Sequence, residues 1–265
     1  MASLEHSLIL EKNEKLSMDV HVLTFATQDI PRAIPGQFFQ LKTPFFLRRP
    51  IGVMQQNESS ISFGVRIVGK GTAALGKMQP GDQLSALGPL GRGFNFRHLS
   101  KKDSLVLVGG GTGIFPLFYL AKSLQEDSYQ QDVCQIYGFR SPEESYLIDE
   151  IRNLSTKSIL SSDAGGLDFQ GHSAAALDAF LNETKEKPRV IFSCGPEAML
   201  KAVIEIGKNR GISVQASLET RMGCGIGLCR GCSVDLIDEK EQAGFRRVRC
   251  CKEGPVFPGE KIIWR

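Results

Sequence analysis

Apolar positions along this chain follow two periods. Through residue 99 they come in short β-rich runs: LTFATQ at 23–28, FFQLKT at 38–43, SISFGVRIV at 60–68 and DQLSALG at 82–88. Turn signals separate them, at Pro35-Gly36, at Asn57-Glu58-Ser59-Ser60 and at Pro80-Gly81-Asp82. No long amphipathic helix shows there, and only TAALGKM at 72–78 has the spacing for a short one. Several short strands at this spacing predict a small barrel. The pattern changes near Lys101-Lys102-Asp103. Strand runs SLVLVGG, DVCQIYGF, KSILSSD and RVIFSCG then alternate with helical runs. The helical runs are IFPLFYLAKSLQE, SAAALDAFLNETKE and PEAMLKAVIEIGKNRG, the last with Gly211 placed as its stop. Such alternation predicts an α/β unit on a parallel sheet. From residue 216 the pattern turns irregular, with Gly and Cys prominent. The expected divisions are 1–100, 101–215 and 216–265.

Composition narrows the class. Of 265 residues, 42% are hydrophobic and 23% charged, which fits a globular chain of two or three modest domains and excludes a disordered one. No stretch approaches the roughly 20 apolar residues of a membrane span. The N-terminal stretch MASLEHSLILEKNEK lacks a cationic start before a long apolar block, so no secretory signal is expected. Basic and acidic residues number 32 and 29, too balanced to suggest nucleic acid as a partner. The cysteines change the picture more. There are seven, with none before Cys134 and five between Cys224 and Cys251. An odd, clustered set is not a disulfide framework, so a reducing cytoplasm and a C-terminal metal site are expected.

Cys224-Gly-Ile-Gly-Leu-Cys229-Arg-Gly-Cys232 is a C-x4-C-x2-C run, followed by a fourth cysteine at Cys250 or Cys251. This is the spacing of plant-type [2Fe–2S] sites. Four thiolates must reach two irons from one tight loop, and Gly223, Gly225, Gly227 and Gly231 permit the turns. Arg221, Arg230 and the run Arg246-Arg247-Arg249 are candidates to offset the charge of such a cluster. Zinc is the competing metal, although its sites usually repeat C-x2-C knuckles in pairs.

Two loops carry phosphate-binding character. Val106-Leu-Val-Gly109-Gly110-Gly111-Thr112-Gly113-Ile-Phe-Pro116 joins a strand to a helix, where backbone N–H groups can face a phosphate. Ile114 stands where a full G-x-G-x-x-G would have its third glycine. Phe192-Ser193-Cys194-Gly195-Pro196-Glu197-Ala198-Met199 repeats the strand–turn–helix order, which sets both loops at the carboxyl edge of one sheet. Cys194 is either a ligand contact or a small core residue, and Cys134 reads as core. In the first unit, Arg48-Arg49-Pro50-Ile51-Gly52 is either a phosphate-facing strand or a solvated edge. Gly71-Thr72, after Arg66 and Lys70, can make a second phosphate-facing turn. His6, His21, His98 and His172 are scattered, and no general base or catalytic constellation is apparent.

Together these parts resemble the ferredoxin–NADP reductase superfamily over nearly the whole chain. Arg49-Pro50-Ile51-Gly52 resembles its flavin strand, Gly71-Thr72 its flavin pyrophosphate turn, and GGGTGIFP and CGPEAM its two nicotinamide-side motifs. Leu218-Glu219-Thr220-Arg221-Met222-Gly223-Cys224 and Cys251-Lys-Glu-Gly-Pro-Val-Phe257 are similar to the electron-transfer subunits of class 1B dihydroorotate dehydrogenases. That resemblance implies an antiparallel barrel holding FAD, a parallel α/β domain for NAD and a small [2Fe–2S] domain. It makes Cys251 the fourth ligand beside Cys224, Cys229 and Cys232, and leaves Cys250 without a role. FAD and NAD would then contact Arg49, Pro50, Ile51, Gly52, Arg66, Gly71, Thr72, Gly110, Gly111, Thr112, Gly113, Cys194, Gly195 and Pro196. The implied partner is an FMN-containing catalytic subunit in a two-plus-two assembly that oxidises dihydroorotate for pyrimidine biosynthesis. Gly52 departs from the family, whose flavin strand has a serine there. Arg140, after the second strand run, is a candidate contact for the 2′-phosphate of NADP instead. Two other readings stay open: the reductase subunit of another flavin and iron–sulfur system, and a non-catalytic interaction protein with a zinc-bound tail.

Overall fold

The computed structural model of the protein describes residues 4–27, 30–127 and 133–264. Gln28 and Asp132, each at one end of a predicted strand run, lie outside the described residues, as do the first three residues of the N-terminal stretch.

Six strands close an antiparallel barrel: β1 (Glu5–Lys15), β2 (Val20–Ala26), β3 (Phe38–Leu41), β4 (Arg49–Gln56), β5 (Ser60–Arg66) and, after the helix α1 (Lys70–Gly76), β6 (Gln83–Leu90). Their order around the barrel is β1-β2-β5-β4-β3-β6, with β6 returning to β1. Inside lie Leu8, Leu10, Leu23, Phe25, Phe39, Leu41, Val53 and Phe63. The rings of Phe39 and Phe63 meet edge to face at 5.6 Å. β1 is the barrel strand that its own pattern hides, because polar and charged residues fill most of EHSLILEKNEK. Only Leu8 and Leu10 turn fully inward, and pairing with both β2 and β6 makes the strand. In β3 the alternation leaves Phe38 and Gln40 facing outward, yet both are buried. Another part of the chain therefore covers the barrel there.

The second unit contains β7 (Leu105–Gly110), α2 (Ile114–Glu126), β8 (Val133–Phe139), α3 (Ile148–Asn153), β9 (Lys157–Ser162), β10 (Phe169–Gln170), α4 (Ser173–Glu183), β11 (Val190–Cys194), α5 (Glu197–Arg210) and β12 (Ser213–Ser217). β7 is buried along its whole length, since helices cover both faces. Leu105 and Leu107 share a core with α2, while Val106 and Val108 share one with α4 and α5. α5 ends at Gly211 with φ 59°, where the Gly211 N–H reaches the carbonyl of Lys208 at 3.1 Å and that of Ile212 reaches Gly207 at 2.8 Å. The Tyr119 hydroxyl on α2 donates to the Ala33 carbonyl at 2.8 Å and fastens this unit to the barrel.

The stretch after 216 is more ordered than its pattern suggests. β13 (Ser233–Ile237), β14 (Phe245–Arg249), the short α6 (Cys250–Glu253), β15 (Val256–Pro258) and β16 (Ile262–Ile263) follow. β14-β13-β16 form a small antiparallel sheet. β15 instead leaves it and pairs antiparallel with β12, completing a seven-stranded sheet of order β10-β9-β8-β7-β11-β12-β15. The residues just before β15 also reach the barrel: the Arg92 N–H donates to the Gly254 carbonyl, and the Val256 N–H donates to Arg92 at 3.4 Å. Phe38 shares a core with Cys232, Cys250, Cys251 and Phe257, which explains its outward burial. Among the described residues, no helix is long and apolar enough to cross a membrane.

Candidate functional site

A cleft of about 550 Å³ opens between the barrel and the parallel sheet. β4 forms one wall with Arg49, Pro50, Ile51 and Gly52, and Pro116 on α2 stands opposite. Arg66 and Thr72 line the cleft as well, while Gly71 lies just behind. A Cβ on Gly71 would come 2.2 Å from the Arg49 Nε, so glycine leaves the cradle in which that guanidinium lies. Thr72 Oγ1 accepts from the N–H groups of Val68 at 2.9 Å and Gly69 at 3.2 Å, which sets the turn before α1. Gly52 is a different case. Apart from its sequence neighbours, the nearest residue is Pro116, at 3.9 Å from an added Cβ, so a serine fits there and glycine is no steric requirement.

The two glycine loops meet at the carboxyl ends of β7 and β11, which are neighbours in the sheet. Gly110, Gly111, Thr112 and Gly113 come from the first loop, and Cys194, Gly195 and Pro196 from the second. A Cβ on Gly113 would stand 2.2 Å from the Cys194 carbonyl oxygen. Gly113 therefore supplies a close approach of the kind a third fingerprint glycine gives, and Ile114 is free to be a fully buried core residue. The Tyr146 hydroxyl donates to the Gly111 carbonyl at 2.7 Å, and its ring stacks on Phe115 at 5.3 Å. Nothing near Tyr146 in the sequence marks this role. Arg66 reaches toward the same loop and is held by Asp19 at 3.2 Å and Glu144 at 3.8 Å. Burial, helped by the nearby Glu219, pushes the Cys194 thiol up to about 12, so it stays protonated at neutral pH. Partial burial also raises the Glu219 carboxyl, at the end of β12 where the same cleft opens. Arg140 is exposed beyond β8 and is not among the residues lining the cleft.

The cysteine loop presents its thiols as two pairs. The Cys229 N–H donates to Cys224 Sγ at 3.4 Å, and the Cys251 N–H donates to Cys232 Sγ at 3.5 Å. Two such pairs suit two irons with two thiolates each. Burial raises the Cys224 thiol, but N–H groups of Cys229 and Ile226 outweigh it and bring its pKa down to about 6. A thiolate is thus favoured where a metal ligand is needed. Cys250 turns away and donates to the Leu218 carbonyl at 3.6 Å. Two of the expected arginine counter-charges are engaged elsewhere. Arg247 pairs with Asp235 at 2.8 Å and Arg246 with Asp238 at 3.4 Å. Arg249 reaches the loop, at the Gly227 carbonyl at 2.9 Å, while also pairing with Glu253.

A barrel, a parallel sheet with a cleft between them and a paired-cysteine loop on the barrel's flank define a flavin- and nicotinamide-dependent oxidoreductase with an iron–sulfur unit, on the ferredoxin–NADP reductase fold. Residues 107–205 match the oxidoreductase NAD-binding domain, and residues 219–263 match the iron–sulfur cluster binding domain of dihydroorotate dehydrogenase B. The dihydroorotate dehydrogenase B (NAD(+)) electron transfer subunit of Caldanaerobacter subterraneus is 31% identical over 95% of this chain and 96% of its own. That of Clostridium acetobutylicum is 35% identical over 86% of each. A solved NADH-dependent reduced ferredoxin–NADP oxidoreductase, described for flavin-based electron bifurcation, superposes with TM-score 0.84 and 26% identity over 100% of this chain and 91% of its own. The chain belongs to the family of dihydroorotate dehydrogenase B electron transfer subunits.

Proposed function

We propose that the protein carries electrons between an FMN-containing dihydroorotate dehydrogenase subunit and NAD+, in a two-plus-two assembly in the cytoplasm. The observation that carries this reading is the set Cys224 with Cys229 and Cys232 with Cys251, packed against β3 of the barrel, whose neighbour β4 lines the cleft. In this reading residues 1–100 hold FAD, 101–215 hold NAD(H) and 216–265 hold the cluster. When bound, the cluster supplies one-electron transfer and the flavin exchanges single electrons for the hydride that NAD+ takes up. The chain's own residues bind and orient. Arg49, Arg66, Gly71 and Thr72 take the flavin pyrophosphate, while Pro50, Ile51 and Gly52 back the flavin ring. Gly110, Gly111, Thr112 and Gly113, with Cys194, Gly195 and Pro196, seat the nicotinamide nucleotide. No side chain here is assigned as catalytic, and the protonated Cys194 thiol can hold a proton at Sγ on the wall of the cleft. Cys229 is exposed and is flanked by Ile226 and by Leu228, 77% exposed, an apolar rim suited to the partner subunit.

The test is coexpression with an FMN-containing dihydroorotate-oxidising subunit, followed by iron, sulfide and flavin analysis and NADH titration. One FAD, two irons and two sulfides per chain, bleached by NADH, in a complex that reduces NAD+ with dihydroorotate, is the expected outcome. Zinc in place of iron, or no flavin, rejects it. The similarity to the ferredoxin–NADP oxidoreductase favours a second reading, in which the same cofactors serve another partner. Full cofactor content without copurification of the FMN subunit is the outcome that selects it.

Arg49→Ala removes a guanidinium from the pyrophosphate side of the cleft. A charge-assisted contact of this kind is worth about 1.5–3 kcal/mol. FAD retention after dialysis is therefore expected to fall about tenfold or more, with the cluster content unchanged. Normal flavin content would remove Arg49 from the site.

A further inference from the structure

Gln40 is fully buried, and among the described residues neither its Nε2 nor its Oε1 has a hydrogen-bond partner. Leaving such an amide unsatisfied costs about 1–3 kcal/mol, and buried polar groups are nearly always paired. Its position shows what is missing. Gln40 lies on the outward face of β3, one residue beyond Phe38 on that face. Phe38 packs with Cys232, Cys250 and Cys251. The Gln40 side chain lies along Gly225, the residue after Cys224, and Nε2 is its leading atom, 2.4 Å from where a Gly225 Cβ would stand. Gly225 has φ +71° and no Cβ, so the loop leaves room for the amide. On the other side, Gln40 is paired in the ladder with Pro50 of the cleft wall. One residue is thus shared by the strand behind the flavin site and the loop of the cluster site.

We propose that Gln40 is a tuning residue for the iron–sulfur centre, donating from Nε2 to a sulfur of the cluster held by the Cys224–Cys232 loop. This rests on the reading of that loop as a [2Fe–2S] site. Cluster sulfur accepts and does not donate, so Nε2 is the atom that would serve it, and Nε2 is the side-chain atom nearest Gly225. A donor to sulfur stabilises the more negative, reduced state and raises the reduction potential. Gln40 thereby sets how an electron divides between cluster and flavin.

The test compares the full chain with Gln40→Leu and Gln40→Glu. The readout is an EPR-monitored redox titration of the cluster, with iron and sulfide content and NADH reduction of FAD as internal controls. The expected result is a cluster midpoint lowered by about 59 mV in Gln40→Leu, a tenfold shift for one electron. Gln40→Glu should lower it at least as far, because an acceptor replaces the donor. In both, NADH should reduce FAD as before. Intact clusters with unchanged midpoints in both variants overturn the proposal while leaving the cluster reading standing. Absence of iron and sulfide from the unaltered protein overturns both. Should the variants fail to assemble a cluster, pulsed EPR of the unaltered protein carrying ¹⁵N in its glutamine side chains decides. Coupling to the reduced cluster supports the proposal, and its absence refutes it.

Discussion

Cys229→Ser is expected to abolish the visible absorbance of the iron–sulfur centre while NADH still bleaches the flavin. Cys229 forms one thiol pair with Cys224, and its N–H helps hold Cys224 as a thiolate. Gly223 and Gly231 flank its sulfur, which lies 3.4 and 3.6 Å from where a Cβ on each would stand. A serine oxygen sits on a shorter bond and is a harder ligand, poorly matched to iron and sulfide. Loss of residues that merely orient metal ligands already costs about 10–100-fold. Dihydroorotate-linked NAD+ reduction in the assembled complex should therefore fall by more than about 100-fold. The nicotinamide loops are on another element, so FAD reduction by NADH should persist. Full iron and sulfide content in this variant would take Cys229 out of the ligand set.

Gly113→Ala is the second large effect. The added methyl would meet the Cys194 carbonyl oxygen at 2.2 Å, its carbon at 2.4 Å and the Gly195 nitrogen at 2.6 Å. All three are backbone atoms, and no side chain can rotate to relieve them. The two loops must part. Overpacking of this kind costs about 1–3 kcal/mol, a melting temperature lower by roughly 3–10 °C in a chain of this size. The KM for NADH should rise at least about tenfold, with iron and sulfide content unchanged. Gly52→Ser is the control, since Pro116 is 3.9 Å from the added Cβ and the change should melt within a degree or so of the unaltered protein. An unaltered KM in Gly113→Ala would separate the glycine loop from nucleotide binding.

The sequence was most legible where one period dominates. SLVLVGG is buried on both faces and became β7, and the alternation of strands and helices after residue 104 is the parallel sheet itself. The cysteine spacing likewise pointed to a cluster, and the pairing of the thiols favours the same metal. Legibility failed where a partner strand, not the local pattern, decides. EKNEK reads as solvated, yet it lies in β1 because β2 accepts it along one edge. SVDLI and FRRVR are too short and too charged to be recognised alone, and they become a sheet because Asp235 and Arg247 stand opposite each other across it. Gln40 is a polar residue within the strand run FFQLKT. Its significance depends on residues 185 positions later in the chain folding over that strand. Arg246 and Arg247 looked like counter-charges, and their own carboxylate partners were not visible in the run.

β15 has a kinetic consequence. The strand begins five residues after Cys251, is bonded to β12 along one edge, and is preceded by residues bonded to Arg92 of the barrel. The cluster unit is therefore clamped between both other units rather than carried on a tether. Reductases that swing a redox domain between donor and acceptor slow down in viscous solvent. With the unit fixed in this way, the rate of electron transfer between the units, followed by stopped flow, should not change when glycerol thickens the medium.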